Sequence, residues 1–359
     1  MAPDARRAAW AAIGRYGLEG ARLVPLGAAG FKQTIRVSQP RSGDYVLRLY
    51  KLPPVSAAEA GVVTVASLRS PVVLRSQMAW LEALARDTGL PVPVPVPTSD
   101  GALVTRVGGE GETWARHATL VRWVPGEPAV GGARRGPSDA ELRAVGDLAA
   151  RIHAHAESYV PPEGSLFPRW DWDWPFGGGA PVWAEGPRFY SGEEMGLFGE
   201  ASARVRALLG ELGYGVGAFG LVHRDLTLGN LVFSGNGAGA IDFDLCGSGH
   251  FLLDLAVLRR SLRLLHEGRS STDRSAAAWM AVLGGYEERR PLPGRVREKL
   301  EGYLLAFDTM QKVAAVNRGL SLLGSGGRAA ASGAGRGPAF LRNSLTWLTR
   351  NVGHLAALP

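Results

Sequence analysis

Leu221-Val222-His223-Arg224-Asp225-Leu226-Thr227-Leu228-Gly229-Asn230-Leu231-Val232-Phe233, followed by Ile241-Asp242-Phe243-Asp244, is the stretch on which the reading of this chain turns. Two apolar runs, Leu231–Phe233 and Ala238–Ile241, flank Gly235-Asn236-Gly237 and predict a tight β-hairpin. Asn230 and Asp242 then stand side by side at the ends of neighbouring strands. Upstream, His223-x-Asp225 completes the pattern H-x-D-x-x-x-x-N. Such a set combines a carboxylate that can orient and deprotonate a hydroxyl with two oxygen donors for a hard divalent cation, and phosphoryl transfer needs both. Taken singly, His223 and Asp225 read equally well as turn residues and Asp242 as a strand-end cap. Their order, with apolar strands between them, favours a phosphotransferase site.

Upstream of this segment the pattern is first β-rich and then helical. Residues 5–18 read as an amphipathic helix with Ala8, Ala12, Ile13 and Tyr16 near one face. Leu23–Leu26 and Thr34–Val37 predict strands around a Gly27-Ala28-Ala29-Gly30 turn. Tyr45–Tyr50 predicts a third strand, with Val46, Arg48 and Tyr50 on one face. A helix over 71–87 is closed by the proline-alternating run 91–97, and a β pair is expected over Leu103–Arg106 and Ala118–Val124. Pro125-Gly126 breaks the chain. Beyond it, Ser138-Asp139-Ala140-Glu141 is a capping box opening a helix whose stripe is Leu142, Val145, Leu148, Ile152 and His155. Two lobes are therefore expected, 1–124 and 125–359, with a loop over Gly324–Gly337 and a last helix at 339–357. His155 is expected in the core, hydrogen-bonded.

Composition excludes several classes. At 359 residues, 46% hydrophobic and 20% charged, the chain is globular in character, with length for about two domains. No apolar run approaches the ~20 residues of a membrane span. Residues 1–20 mix Asp4, Arg6, Arg7 and Arg15 with alanines and lack the apolar core of a secretory signal. A single cysteine, Cys246, excludes an internal disulfide and a cysteine-based zinc cluster, so a cytoplasmic location is expected. The net charge of +7 comes almost wholly from arginine: the lysines are Lys32, Lys51, Lys299 and Lys312. These charges form no block and accompany no DNA- or RNA-binding module, so neither nucleic acid nor membrane is an expected partner.

HRDLTLGN (223–230) and IDFDLCGSGHFLLDLA (241–256) resemble the aminoglycoside phosphotransferase and choline kinase-like family, relatives of the protein kinases. Softer matches are YVLRLY (45–50), LRSQMAWLEAL (74–84), LVRWVPG (120–126) and ARIHAHAE (150–157), so the resemblance spans about residues 20–265. It implies an α+β, bilobal protein-kinase-like fold, with a small antiparallel-sheet lobe and a mainly helical second lobe. Carried over by position, Asp225 is the catalytic base and Asn230 and Asp242 hold Mg²⁺. Arg48 touches the phosphates of ATP or GTP, with Gly27 and Gly30 as a weak cover. The segment Arg122, Trp123 and Val124 borders the base. Asp244, Trp170, Asp171, Trp172 and Asp173 are acceptor-site candidates; the tryptophan-rich stretch reads equally as a loop anchor, and Asp244 as a strand cap.

The departures from that family are informative. Arg48 stands where protein kinases have lysine, and Gln77 fills the helix slot that ordinarily offers it a glutamate. Asp242 is followed by Phe243-Asp244 rather than Phe-Gly, and no Ala-Pro-Glu closes an activation segment. A small molecule, not a protein, is thus the expected hydroxyl acceptor. The basic charge favours a neutral or anionic acceptor, such as a nucleoside-type or macrolide antibiotic or a hydroxylated metabolite, over a cationic aminoglycoside. A metabolite kinase of the homoserine or choline type is the alternative. Gln77 and the degenerate glycine loop also motivate a reading from another class, a nucleotide-binding pseudokinase regulator. The oligomeric state, and ATP against GTP, stay open at this point.

Overall fold

Alternating side chains in the first third of the chain build a sheet backed by one helix. The computed structural model describes residues 1–29, 32–52, 67–131, 136–235, 237–266, 272–324 and 337–356. Helix α1 (Pro3–Arg15) precedes β1 (Arg22–Ala29), β2 (Lys32–Gln39) and β3 (Gly43–Lys51). Then come α2 (Pro71–Thr88), β4 (Pro95–Val96), β5 (Thr105–Val107) and β6 (Arg116–Arg122). The antiparallel sheet is ordered β1-β2-β3-β6-β4, with β5 also on β6. The period of two sorts β3 cleanly. Tyr45, Leu47 and Leu49 pack with Ile35 and Val37 against Ala8, Ala12, Ile13 and Tyr16. Val46, Arg48 and Tyr50 take the opposite face, cross-strand from Arg36, Thr34 and Lys32.

The first strand does not end before a glycine turn: β1 continues through Gly27 to Ala29, with a register irregularity between Pro25 and Gly27. Gly27 is therefore a strand residue, and Gly30 lies outside the described residues. The proline run, for its part, contributes the short β4, where Pro95 and Val96 pair with β6.

Ser70 caps α2 by accepting the Val73 N–H at 3.3 Å, and Gly89 closes it at φ 62°. Its stripe of Met78, Leu81 and Leu84 joins the large core of the helical part rather than the small-sheet core. After β7 (Glu127–Pro128), which pairs with the hairpin strand Leu231–Ser234, the capping box opens α3 (Asp139–Ser158). Next come β8 (Arg169–Trp170), α4 (Asp173–Phe176), α5 (Pro181–Ala184) and α6 (Gly192–Leu212). The central segment holds β9 (Phe219–Val222), β10 (Leu231–Ser234), β11 (Gly237–Ala240) and β12 (Gly247–His250). Helices α7 (Leu252–His266), α8 (Thr272–Arg289), α9 (Gly294–Glu298), α10 (Leu300–Gly324) and α11 (Gly337–Ala356) complete it. Two three-stranded ribbons, β11-β10-β7 and β8-β12-β9, lie among these helices. Asn236 of the hairpin turn and most of the expected 324–337 loop lie outside the described residues. His155 is buried and meets Asp87 at 3.2 Å. No described helix is long and apolar enough to cross a membrane.

Helices α3 and α8 cross backbone to backbone. A Cβ on Gly146 would sit 2.0 Å from the Val282 carbonyl oxygen, and one on Gly285 would sit 2.0 Å from that of Arg143. Gly146→Ala or Gly285→Ala should therefore cost about 3 kcal/mol of stability in urea denaturation. Gly210→Ala, on the open face of α6, should gain about 0.5–1 kcal/mol. Equal, small effects at all three sites would contradict the close crossing.

Candidate active site

Strand β9 delivers the chain into a loop that must bend sharply. Arg224 (φ 72°) and Asp242 (φ 65°) are the non-glycine residues with positive φ among the described residues, a conformation costing on the order of 1–3 kcal/mol each. The bend at Arg224 is held by Asp254 near the start of α7. One carboxylate oxygen accepts the His223 N–H at 2.9 Å and the other accepts the Arg224 N–H at 2.7 Å. His153 of α3 adds a contact at 3.1 Å to Asp254 and a second, at 3.0 Å, to the Tyr286 hydroxyl of α8. Burial alone would raise the Asp254 carboxyl, but the hydrogen bonds from His153 and the His223 amide hold it below its ordinary value. Burial also pushes His153 down, so it is a neutral imidazole. The network assigns its proton to Nε2, facing the carboxylate.

His223 performs the second tie. Its Nδ1 accepts the Asp225 N–H at 3.3 Å, which leaves Nε2–H to donate to the Ile241 carbonyl at 3.0 Å. Its ring lies 4.3 Å from that of Phe243. The histidine thus fastens the catalytic loop to the hairpin. Across the hairpin mouth, the Ile241 N–H donates to the Asn230 carbonyl at 2.9 Å, which sets Asn230 beside the Asp242 backbone. The Asn230 side-chain amide donates to the Asp225 carbonyl (2.8 Å) and to its Oδ2 (2.9 Å). Asp225 Oδ1 and the Asn230 amide oxygen remain as acceptors.

Four charges from opposite ends of the chain meet above this mouth. Lys32 Nζ lies 2.9 and 3.1 Å from the two Asp242 oxygens and 2.6 Å from Asp244. Arg48 lies 3.0 Å from Asp244 and 3.4 Å from Asp242. The Tyr50 hydroxyl donates to Asp244 at 3.0 Å. Burial would raise the Asp242 carboxyl, but Arg48 and Lys32 outweigh it and lower it to about 2. Lys32 was not among the candidates read from sequence. The signal lies in the alternation, since Lys32 is cross-strand from Tyr50 and two pairs along from Thr34–Arg48, on the same face. Among the described residues no hydrogen bond joins Gln77 to Arg48, such as the family slot would imply. Its amide donates to the Asp244 and Cys246 carbonyls, both at 3.1 Å.

The remaining candidates divide. Asp244 is 7% exposed and faces the small lobe, so its reading as an acceptor residue gives way to that of countercharge for Arg48 and Lys32. Trp170 is buried, donating its indole N–H to the Leu245 carbonyl at 2.8 Å. Asp171 is buried against Arg169 and the Asp173 N–H, and Asp173 itself is exposed. Trp170 and Asp171 therefore fit the loop-anchor reading of this stretch. Trp172 lines a shallow hollow of about 490 Å³ with Ser202 and Arg206 of α6. In the inter-lobe segment, Arg122 donates its N–H to Val94 (2.8 Å) and Trp123 to Asp44 (2.9 Å). Among the described residues the Val124 N–H has no acceptor. Arg36 stacks on Trp123 at 4.5 Å. Cys246 is a buried thiol pushed well up by its surroundings, not a nucleophile.

The donor set fits a hard divalent ion. Asp242 already cradles an ammonium between its two oxygens, and the Asn230 amide oxygen has no partner among the described residues. Two protein oxygens match what Mg²⁺ takes when phosphates and water complete its shell. Asp254→Asn should loosen the loop, lowering stability by about 3 kcal/mol and turnover with it, read by thermal melts and initial rates. Acid should also weaken the fold. Burial holds His250 down, to about 4, and His153 below its ordinary value. Below pH ~6.5 the unfolded chain takes up protons that the native state refuses. Stability present at neutral pH is therefore lost as pH falls toward 4, by up to about 1.4 kcal/mol per unit for each histidine. A His250→Gln variant should show a shallower slope in urea midpoints between pH 6.5 and 4.

A family model described as the phosphotransferase enzyme family matches residues 24–296, about three-quarters of the chain. An uncharacterized protein of Deinococcus radiodurans is 30% identical over 227 residues, covering 62% of this chain and 61% of that one. A homoserine kinase of Caulobacter vibrioides is 27% identical over 230 residues, 63% of each. The chain thus spans roughly three-fifths of the length of these curated relatives. Among solved structures, a microcompartment-associated aminopropanol kinase superposes with TM-score 0.70 at 23% identity, covering 98% of both chains. An amicoumacin kinase, in complex with AMP-PNP and Ca²⁺, gives 0.68 at 16%, covering 93% of this chain and 89% of that one. Likeness at these identities establishes the fold, an α+β bilobal kinase-like architecture.

Proposed function

We propose that this chain, which belongs to the phosphotransferase enzyme family, transfers the γ-phosphoryl group of ATP or GTP to a hydroxyl of a small molecule. The observation that carries this reading is the joining of Asp225 and Asn230 by the asparagine amide, with Asp242 beside them at the hairpin mouth. Asp225 Oδ1 takes the acceptor proton as the acceptor oxygen bonds to the γ-phosphorus. The bond from that phosphorus to the β–γ bridging oxygen breaks, and the diphosphate leaves. Asn230 and Asp242 are the residues to hold Mg²⁺, which supplies charge stabilisation on the phosphates. Arg48 and Lys32 are placed to exchange their carboxylate partners for phosphate oxygens. The Val124 N–H and the carbonyls of Arg122–Val124 serve the base, with Gly27 of β1 as a weak cover for the phosphates.

For the acceptor, the relatives named homoserine kinase and the aminopropanol kinase neighbour support a small hydroxylated metabolite. An antibiotic is the second reading, supported by the amicoumacin and spectinomycin phosphotransferase neighbours. The three oxygen donors, all in place, support an enzyme over a pseudokinase regulator. The single buried thiol suits a reducing cytoplasm. Asp225→Asn should lower kcat about 10³-fold with nucleotide Kd within twofold. Asp242→Ala should instead lose Mg²⁺-dependent nucleotide binding. Loss of nucleotide binding in Asp225→Asn would contradict the base role.

A further inference from the structure

One cation of the small lobe sits on the carboxylate assigned to the metal. Lys32 opens β2 opposite Tyr50, and the strand alternation carries Lys32, Arg48 and Tyr50 to one face. From that face Lys32 Nζ contacts both oxygens of Asp242, at 2.9 and 3.1 Å, and one of Asp244 at 2.6 Å. Arg48 leans the other way, lying 3.0 Å from Asp244 and 3.4 Å from Asp242. The Tyr50 hydroxyl also serves Asp244, at 3.0 Å. Asp244 thus meets three small-lobe groups, whereas among the described residues Lys32 is the one that spans the Asp242 carboxylate. Exposure separates the four charges. The side chains of Lys32, Asp244 and Arg48 are 11%, 7% and 5% exposed, against 34% for Asp242. An ion arriving from solvent meets Asp242 first, and meets it capped by an ammonium.

That cap and a divalent ion exclude one another. Mg²⁺ needs direct contact at about 2.0–2.1 Å, on oxygens that Lys32 already holds. Charge adds to the obstacle. Two cations and two carboxylates balance, so a divalent ion arriving alone brings uncompensated positive charge beside an ammonium and a guanidinium, and both repel it. Nucleotide phosphates reverse the balance. Their oxygens offer Lys32 and Arg48 new anionic partners and release Asp242. Lysine suits this exchange, because its compact charge rides on a flexible four-carbon stem, whereas the guanidinium of Arg48 is a rigid fork.

Building on the kinase reading above, we infer that Lys32 reserves Asp242 for a metal–nucleotide pair: its ammonium competes with a free divalent ion for that carboxylate, and its transfer to phosphate oxygens makes metal and nucleotide binding mutually dependent. Such coupling is reciprocal, each ligand strengthening the other by the same factor. Mn²⁺ alone is the probe, its binding to the nucleotide-free protein followed by electron paramagnetic resonance. Lys32→Met should bind Mn²⁺ about 10-fold more tightly than the wild type, and Lys32→Gln, which keeps a neutral hydrogen-bond donor, about threefold more tightly. A Lys32→Met/Asp242→Ala double variant should lose the gain, because the ion then lacks its carboxylate. Metal-free AMP-PNP, titrated in EDTA by calorimetry, should bind Lys32→Met about 10-fold more weakly. One substitution thus moves the two ligands in opposite directions, which a merely structural role for Lys32 would not do. Circular-dichroism melts establish that each variant is folded before titration. Mn²⁺ affinity unchanged or weakened in both single variants, a gain that survives Asp242→Ala, or unaltered AMP-PNP binding would overturn the inference, while turnover with ATP or GTP would leave the kinase reading intact. Tighter Mn²⁺ binding through Asp242, with no transfer from ATP or GTP to any hydroxyl, would uphold the competition and sink the kinase reading.

Discussion

The carboxylate of Asp254 is the contact on which the site is built. It is fully buried and ionised, so it must be surrounded by donors, and two of these are the backbone amides of His223 and Arg224. A charged acceptor bonded to successive amides offsets the unfavourable backbone at Arg224 and so sets the direction in which Asp225 leaves the loop. The third donor, His153, depends in turn on Tyr286, which α8 carries to α3 only because Gly146 and Gly285 let the two backbones touch. Arg290 continues the chain by donating to the Tyr286 hydroxyl at 3.2 Å. A helix crossing far from the cleft is thereby connected, bond by bond, to the proposed base.

Between the lobes a different balance holds. Two cations of the sheet face two carboxylates of the hairpin exit, so the buried charge closes to zero. Gln77 and Asp244 explain one another. With an uncharged residue on α2, Arg48 has no countercharge from that helix, and Asp244 supplies it from the segment after Asp242. The glutamine then acts on the backbone, holding the Asp244 and Cys246 carbonyls in place. Both departures from the kinase pattern therefore maintain a charge-neutral inter-lobe junction. Binding of a metal and phosphates must rearrange it, because Lys32 and Arg48 cannot grip the carboxylates and the phosphates equally at once.

Much of this was legible before any fold was known, and the reasons are local. The H-x-D-x-x-x-x-N spacing and the hairpin after it bring Asn230 and Asp242 together through one short-range strand register, Leu231 opposite Ala240. The alternation in β3 places Arg48 on a face, and the capping box at Ser138 starts α3 where it should. Burial decides between readings that composition leaves open. The tryptophan–aspartate stretch at 170–173 has the composition of a pocket, yet indole N–H groups matched to backbone carbonyls make it an anchor.

Residue order by itself determined the candidate oxygen donors, the strands that carry them and the family to which the chain belongs, because each rests on spacings of a few positions. Tertiary structure alone decided the partners. Lys32 meets Asp242 across 210 positions, Gln77 reaches Asp244 across 167, and Arg224 finds Gln311 across 87. Such meetings follow from how a sheet and a helical body dock, driven by apolar burial that is indifferent to which charges it brings together. Periodicity can say which face a lysine occupies. It contains no term for what that face will meet.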